Sequence, residues 1–183
     1  MTRINVINAD QTNGKAKELL DAVQAKLGIT PNMMKTMAQS PAVLEAYLNF
    51  GGALDSTLNG KLREQIAVLT AEENGCGYCA SAHTAIGKMV GLSNESILAA
   101  REAIAADAKI DAALKFAKTV VEKRGKVSDE DVARVKNAGF DDGAIAEIVA
   151  NVALNIFTNY FNEVAKTEID FPKVELFGKS VSA

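Results

Sequence analysis

The 183-residue chain suits one domain with room for a real core, and a second domain would be cramped. A net charge of −3 and the lack of any Lys/Arg run exclude the electrostatic footprint of a nucleic-acid or anionic-membrane binder. Apolar residues make up 48% of the chain but aromatics only 5%, so the core is expected to be Ala, Leu, Ile and Val, which favours closely approaching helices.

The first residues lack the apolar stretch of a secretory signal. No charge-free apolar run approaches the length of about 18 residues that a membrane span needs. The nearest, 144–161, holds Glu147 and three asparagines. A cytosolic location is the expectation. In that reducing compartment a lone cysteine pair is more often catalytic or metal-binding than a structural staple.

Residues 1–12 read as an extended lead-in. Asn13 or Asp10 is placed to cap a first helix to about Leu27, with Leu19, Leu20, Val23 and Leu27 at helical spacing. After the stop at Gly28-Ile-Thr-Pro31, Met33, Met34 and Met37 predict a short helix ending at Ser40. Its methionines read as adaptable core filling rather than a cofactor box. Ser40 as N-cap and Pro41 as first helical residue start a helix towards Leu54. Gly51-Gly52 inside it would weaken that helix unless another backbone packs against it. Thr57-Leu-Asn59-Gly60 opens a helix whose apolar positions are Leu62, Ile66, Leu69 and Thr70. Glu64 sits beside that stripe and reads either as a solvated acid or as a site residue, while Glu72 and Glu73 are expected at a solvated helix end. Asn74-Gly75 breaks the helix, and the next begins at Cys76 and ends near Val90 with Gly91 as its stop.

Ser93 or Asn94 caps an alanine-rich helix to about Ala106. Residues 110–124 form another, with Ala113, Phe116, Ala117 and Val120 on one side. Ser128-Asp-Glu-Asp131 is a helix entry with early negative charge, and that helix stops at Gly139. Asp141 caps a last long helix, Asp142 to about Ala165. Its apolar residues Ile145, Ile148, Val149, Val152, Ile156, Phe157 and Phe161 need cover on two sides, which predicts burial at the centre of the domain, with an oligomer interface as the other reading. Residues 168–183 lack a helical period and contain Pro172. Phe171, Val174, Leu176 and Phe177 favour an arm over a neighbouring subunit rather than a loose tail. There is no glycine-rich phosphate loop and no G-x-S-x-G elbow. The fold class read from the pattern is all-α: one helical domain over 1–167, then the arm or tail 168–183.

The chemistry concentrates in one place. The chain has two cysteines and one histidine, and Cys76, Cys79 and His83 all fall within eight residues. On a helix starting at Cys76 the spacings i, i+3 and i, i+4 put the three on one face. Helix N-terminal N–H groups and the helix dipole favour a thiolate there, and His83 can take the thiol proton or pair with the thiolate once charged. A dithiol–disulfide oxidoreductase or redox sensor would use the same residues. A zinc site could draw on Cys76, Cys79, His83 and Glu64, although this run is tighter than common zinc spacings. Two incidental buried thiols would not account for the clustering.

Glu64 lies twelve residues before Cys76, and Glu-x11-Cys-x-x-Cys-x-x-x-His resembles the signature of the alkylhydroperoxidase AhpD-like branch of the carboxymuconolactone decarboxylase superfamily. Asn159-Tyr-Phe-Asn162 and Thr167 also resemble the end of that family's domain. The resemblance implies an AhpD-like helical bundle in which Cys79 attacks peroxide, Cys76 resolves, and His83 with Glu64 relays protons. Some members carry a further histidine inside the Cys-x-x-Cys; here that place is Tyr78, read as a packing residue. The implied activity is reduction of organic hydroperoxides or hydrogen peroxide through a Cys79 sulfenate and a Cys76–Cys79 disulfide. An external dithiol, a lipoyl protein or a thioredoxin-like donor, would reset it, since nothing in the chain reads as binding a nicotinamide or flavin cofactor. Homo-oligomers, trimers or multiples of them, are implied too. The superfamily's decarboxylase activity is the remote alternative, because the redox Cys-x-x-Cys marks the peroxidase-like branch.

Overall fold

The structure, a computed structural model, describes residues 2–55 and 58–178; Thr57 and residues 179–183 of the expected elements lie outside them. Among the described residues there are nine helices and no strand. They are α1 (Gly14–Leu27), α2 (Asn32–Met37), α3 (Pro41–Leu54), α4 (Gly60–Glu73), α5 (Gly77–Met89), α6 (Asn94–Arg101), α7 (Ala108–Glu122), α8 (Asp129–Asn137) and α9 (Asp142–Ala165).

The middle of the bundle is α4, which packs against α5, α6, α7 and α9. From Gln65 to Glu72 every residue of α4 is buried, so this helix is enclosed on all sides rather than along one stripe. One apolar cluster joins Leu62, Ile66 and Leu69 to α7 through Leu114, Phe116 and Ala117, and to α9 through Ile148 and Val152. A second joins Leu20, Val23, the three methionines of α2 and Leu44 to Cys76, Tyr78 and Cys79. The dithiol is therefore part of a core, not of a surface loop.

Several expectations change in the folded chain. The long helix α9 is not the central one: Val149, Phe157, Tyr160 and Val164 are exposed, and its inward face is largely Asn151, Asn155, Thr158, Asn159 and Asn162. By length and composition α9 could cross a membrane, but it packs against α3, α4, α5 and α7 as a bundle helix. Gly51 and Gly52 do not accommodate another backbone; a Cβ at Gly51 would meet only the Leu154 side chain at ordinary contact distance. Helix α6 ends at Arg101 rather than Ala106, because Ala103 turns left-handed (φ 60°) and returns the Ile104 N–H to Ala99 O at 2.9 Å. Asp107 then caps α7, accepting from Lys109 N and Ile110 N. The Ser128 entry forms the full capping box with Asp131.

Two further corrections bear on the site. Glu72 is not at a solvated end: it is 2% exposed and accepts from Arg101 Nε at 2.9 Å and Nη2 at 2.6 Å. Glu73 faces Lys118 at 3.3 Å with a largely buried side chain. The stretch 168–178 lies against its own chain. Phe177 N donates to Glu72 Oε1 at 2.7 Å, Arg101 Nη2 to Glu175 O at 2.7 Å, and Val174 N to Ser81 Oγ at 3.0 Å. The Arg101 guanidinium also stacks 3.8 Å over the Phe177 ring.

Candidate active site

Helices α4 and α5 form a tight hairpin. Gly75, at φ +68°, makes the left-handed step that a side chain would resist, and Cys76 N–H reaches back to Ala71 O at 2.9 Å. Cys76 is the N-cap of α5, its Sγ accepting from Cys79 N at 3.4 Å. The Cys-x-x-Cys thus spans the first turn, where four helix N–H groups lack partners within the helix. The hairpin brings His83 back against Glu64, with His83 Nδ1 and Glu64 Oε2 2.8 Å apart. A carboxylate accepts, so Nδ1 carries the proton and Nε2 is the nitrogen left for chemistry.

All four sequence-derived candidates come together, with distinct environments. Both cysteines are free thiols. Cys79 and His83 line a cavity of about 290 Å³, whereas Cys76, wholly buried, and Glu64 do not. The cavity wall is otherwise mainly apolar: Leu27, Ile29, Met34, Tyr47, Tyr78 and Phe171 are among its residues. Cys79 is the sulfur a substrate in that cavity meets, and Cys76 sits behind it.

The electrostatics separate the two thiols. The hydrogen bond from the Cys76 thiol holds Cys79 down at about 6 against burial, helped by the His83 charge and by the amides of Asn159 and Asn162. The same hydrogen bond, with burial, pushes Cys76 far above the ordinary thiol range. The pair therefore carries one negative charge, placed on Cys79. Burial pulls the His83 imidazole down, but the Glu64 charge and hydrogen bond and the Cys79 sulfur outweigh it, leaving His83 raised. An imidazolium beside a thiolate is the resting arrangement these shifts favour.

Sequence reasoning gave no site role to several residues that the structure places there. Asn162 Nδ2 donates to Cys79 Sγ and to Met33 Sδ, both at 3.2 Å. Asn159 accepts from Asn74 Nδ2 at 2.9 Å, holding the hairpin turn against α9. Met33 and Met34, read as core filling, are buried and also line the cavity. Tyr78 is a packing residue as expected, but it is polar-tied as well: its OH donates to Asp170 Oδ1 at 2.8 Å and accepts from Met33 N at 3.1 Å. Phe171 stacks edge-on against its ring at 5.9 Å. The arm is thus one wall of the cavity. Asn151, Asn155, Asn159 and Asn162 follow helical spacing along an apolar helix, and that polar stripe was the available sequence signal. Among the described residues no group of three or more His, Cys, Asp and Glu is arranged to hold a metal.

Fold and site together define an all-helical protein with a buried helix-N-terminal dithiol backed by a His–Glu pair. Residues 41–122, which span α3 to α7, match the model of the Carboxymuconolactone decarboxylase family. The chain is similar to a structure described as the alkylhydroperoxidase AhpD core of an uncharacterized peroxidase-related protein from Ralstonia eutropha JMP134 (25% identity, 92% of each chain covered, TM-score 0.82). It is similar in fold to an uncharacterized peroxidase-related protein from Silicibacter sp. TM1040 (24%, 91% of each chain, TM-score 0.81). A third fold relative is the debrominase Bmp8, in a cysteine-to-alanine variant bound to 2,3,4-tribromopyrrole (21%, 93% of this chain and 92% of that one, TM-score 0.79). Sequence comparison with curated proteins gives no match. The match to the Carboxymuconolactone decarboxylase family thus covers residues 41–122, and over most of its length the chain is similar in fold to AhpD-like structures.

Proposed function

We propose that this protein is a thiol-dependent peroxidase that reduces organic hydroperoxides. The observation that carries this reading is the division of labour between the sulfurs: Cys79 alone of the two lines the cavity, and its thiol is the one its surroundings hold low. The Cys79 thiolate attacks the terminal oxygen of the hydroperoxide, the O–O bond breaks, and the imidazolium of His83 gives its proton to the departing alkoxide. Glu64 keeps His83 oriented and charged through this step. The Cys76 thiol then condenses with the Cys79 sulfenic acid, releasing water and forming the Cys76–Cys79 disulfide. An external dithiol, a lipoyl protein or thioredoxin-like donor, returns both thiols, and a reducing compartment such as the cytosol supplies it. The apolar cavity favours alkyl and aryl hydroperoxides over hydrogen peroxide: a cavity of about 150 Å³ already takes benzene, and this one is nearly twice that. The exposed apolar residues of α9 support self-association, as trimers or multiples of them.

A thiol count and intact mass on reduced protein, before and after one equivalent of cumene hydroperoxide, test the reading. Loss of both thiols with a decrease of two hydrogens is expected; two intact thiols would end it.

The apolar cavity with Tyr47, Tyr78 and Phe171 favours one second reading, reductive removal of halogen from a flat ring. There Cys79 would take the halogen, the ring carbon a proton, and Cys76 would displace halide to form the same disulfide. Bromide release from 2,3,4-tribromopyrrole by reduced protein inert to hydroperoxide would select it.

A further inference from the structure

The reacting sulfur has a polar neighbour that neither the His–Glu pair nor the dithiol accounts for. Asn162 is 3% exposed and sits three turns of α9 beyond Asn151. Its Nδ2 spends both hydrogens on sulfur, one towards Cys79 Sγ and one towards Met33 Sδ. A thioether and a thiolate only accept, which fixes the end of the amide that faces them. The other end, Oδ1, has no hydrogen-bond partner among the described residues although it is buried. An unpaired buried carbonyl oxygen carries a desolvation penalty, and each such group in a folded protein calls for an explanation, a catalytic role among them. Covalent geometry keeps Oδ1 about 2.2 Å from Nδ2, so with Nδ2 at 3.2 Å from Cys79 Sγ it lies within about 5.4 Å of that sulfur.

Resting on the peroxidase reading, we propose that the Asn162 amide is a two-ended catalytic group: Nδ2 holds the Cys79 thiolate, and Oδ1 accepts the hydrogen bond of the hydroperoxide's terminal O–H. That hydroxyl is the one group of an alkyl hydroperoxide that can donate. The acceptor therefore selects the terminal oxygen for attack and points the alkyl side into the apolar cavity. The balance is simple. The S–O bond forms as the O–O bond breaks, the sulfur is oxidised and the peroxide reduced. The O–H proton stays on the transferred oxygen, now the sulfenic acid, and remains bonded to Oδ1. The leaving alkoxide takes its proton from His83. Asn162 is thus a group that handles the oxygen, distinct from the residues that handle the proton.

The test compares two reagents on reduced wild type, Asn162→Leu and Asn162→Asp, at a pH where Cys79 is fully ionised in each. Cumene hydroperoxide carries the O–H that Oδ1 would accept; iodoacetamide, a neutral alkylator, carries no hydroperoxide group. The ratio of the two rate constants cancels differences in thiolate reactivity. Asn162→Leu should lower the ratio about tenfold or more, and Asn162→Asp, which keeps an acceptor oxygen, should leave it within about threefold of wild type while raising the pH midpoint of alkylation. Equal ratios in wild type and the leucine variant would overturn the assignment, as would an aspartate variant that loses the ratio; the aspartate result decides alone if the leucine variant does not fold. Wild-type protein alkylated by iodoacetamide but inert to cumene hydroperoxide would instead overturn the peroxidase reading, and the oxygen-end role with it.

Discussion

Replacing Cys76 with alanine removes the interaction that does most to hold the Cys79 thiol near 6, against an ordinary value of 9.0. The limiting case is a full return to that value. At pH 7 a thiol with a pKa near 6 is about nine-tenths ionised, and one at 9 about one-hundredth, a loss of roughly ninetyfold in thiolate. A less acidic thiol makes a stronger nucleophile, however. With a Brønsted coefficient of about 0.4–0.5, three units return roughly 15- to 30-fold. The two effects leave Cys76→Ala only about three- to sixfold slower than wild type at pH 7, and faster above about pH 8, the advantage growing until both are ionised near pH 10. His83, Asn159 and Asn162 still act in the variant, so the measured changes fall at or below these limits. The assay is the rate of Cys79 sulfenate formation with cumene hydroperoxide, read by a sulfenate-trapping dione and mass, over about pH 5–10. In the variant the sulfenate should persist, because no second thiol condenses with it. A rate midpoint that stays near pH 6, or a variant slower at every pH, would refute the assignment of the Cys79 shift to Cys76.

Glu64→Gln removes the charge that raises His83, so His83 falls, its attraction for the thiolate fades, and the Cys79 midpoint moves to higher pH; an unmoved midpoint in the pH dependence of alkylation by iodoacetamide would count against the relay. Glu72→Ala strands a buried Arg101 and unlatches Phe177, and should cost about 3–5 kcal/mol in urea unfolding with new protease cleavage within 168–178; a loss under 1 kcal/mol with an intact arm would contradict the buried latch. Phe171→Ala opens the cavity wall and should raise KM for cumene hydroperoxide about tenfold, roughly the 1.4 kcal/mol of a lost aromatic contact, while leaving hydrogen peroxide turnover nearly unchanged. An equal effect on both substrates would place Phe171 in folding rather than in the wall.

The helical content was legible because its signals are local. Ser40-Pro41, Asn59-Gly60, Ser128-x-x-Asp131 and Asp141 each mark a helix start within a few residues of sequence, and each start is found where it was read. The same locality made the core of the site readable: Cys76, Cys79 and His83 lie within one helix, and Glu64 is one hairpin away. The missed stop of α6 depends on an alanine in a left-handed conformation, a choice that no residue preference announces.

What sequence did not yield is long-range pairing of polar groups. Glu72 looks like half of an acidic helix end until Arg101, 29 residues on, and the backbone of Phe177, 105 residues on, enclose it. Asp170 looks like tail until its carboxylate receives the Tyr78 hydroxyl and the Asn32 N–H. The asparagines of α9 carry the same lesson for function. A helix this apolar was read by its hydrophobic residues, and the count of those residues pointed to burial on two sides. Yet the structure turns Val149, Phe157, Tyr160 and Val164 outward and Asn155, Asn159 and Asn162 inward. Burial of a polar stripe at the expense of an apolar one costs desolvation unless the stripe has partners. Along α9 those partners are backbone carbonyls for Asn151 and Asn155, the hairpin turn for Asn159, and at the last position the Cys79 sulfur. The inversion of the helix is therefore best explained by what the asparagines hold: the α4–α5 turn in its geometry and Cys79 in its ionised form.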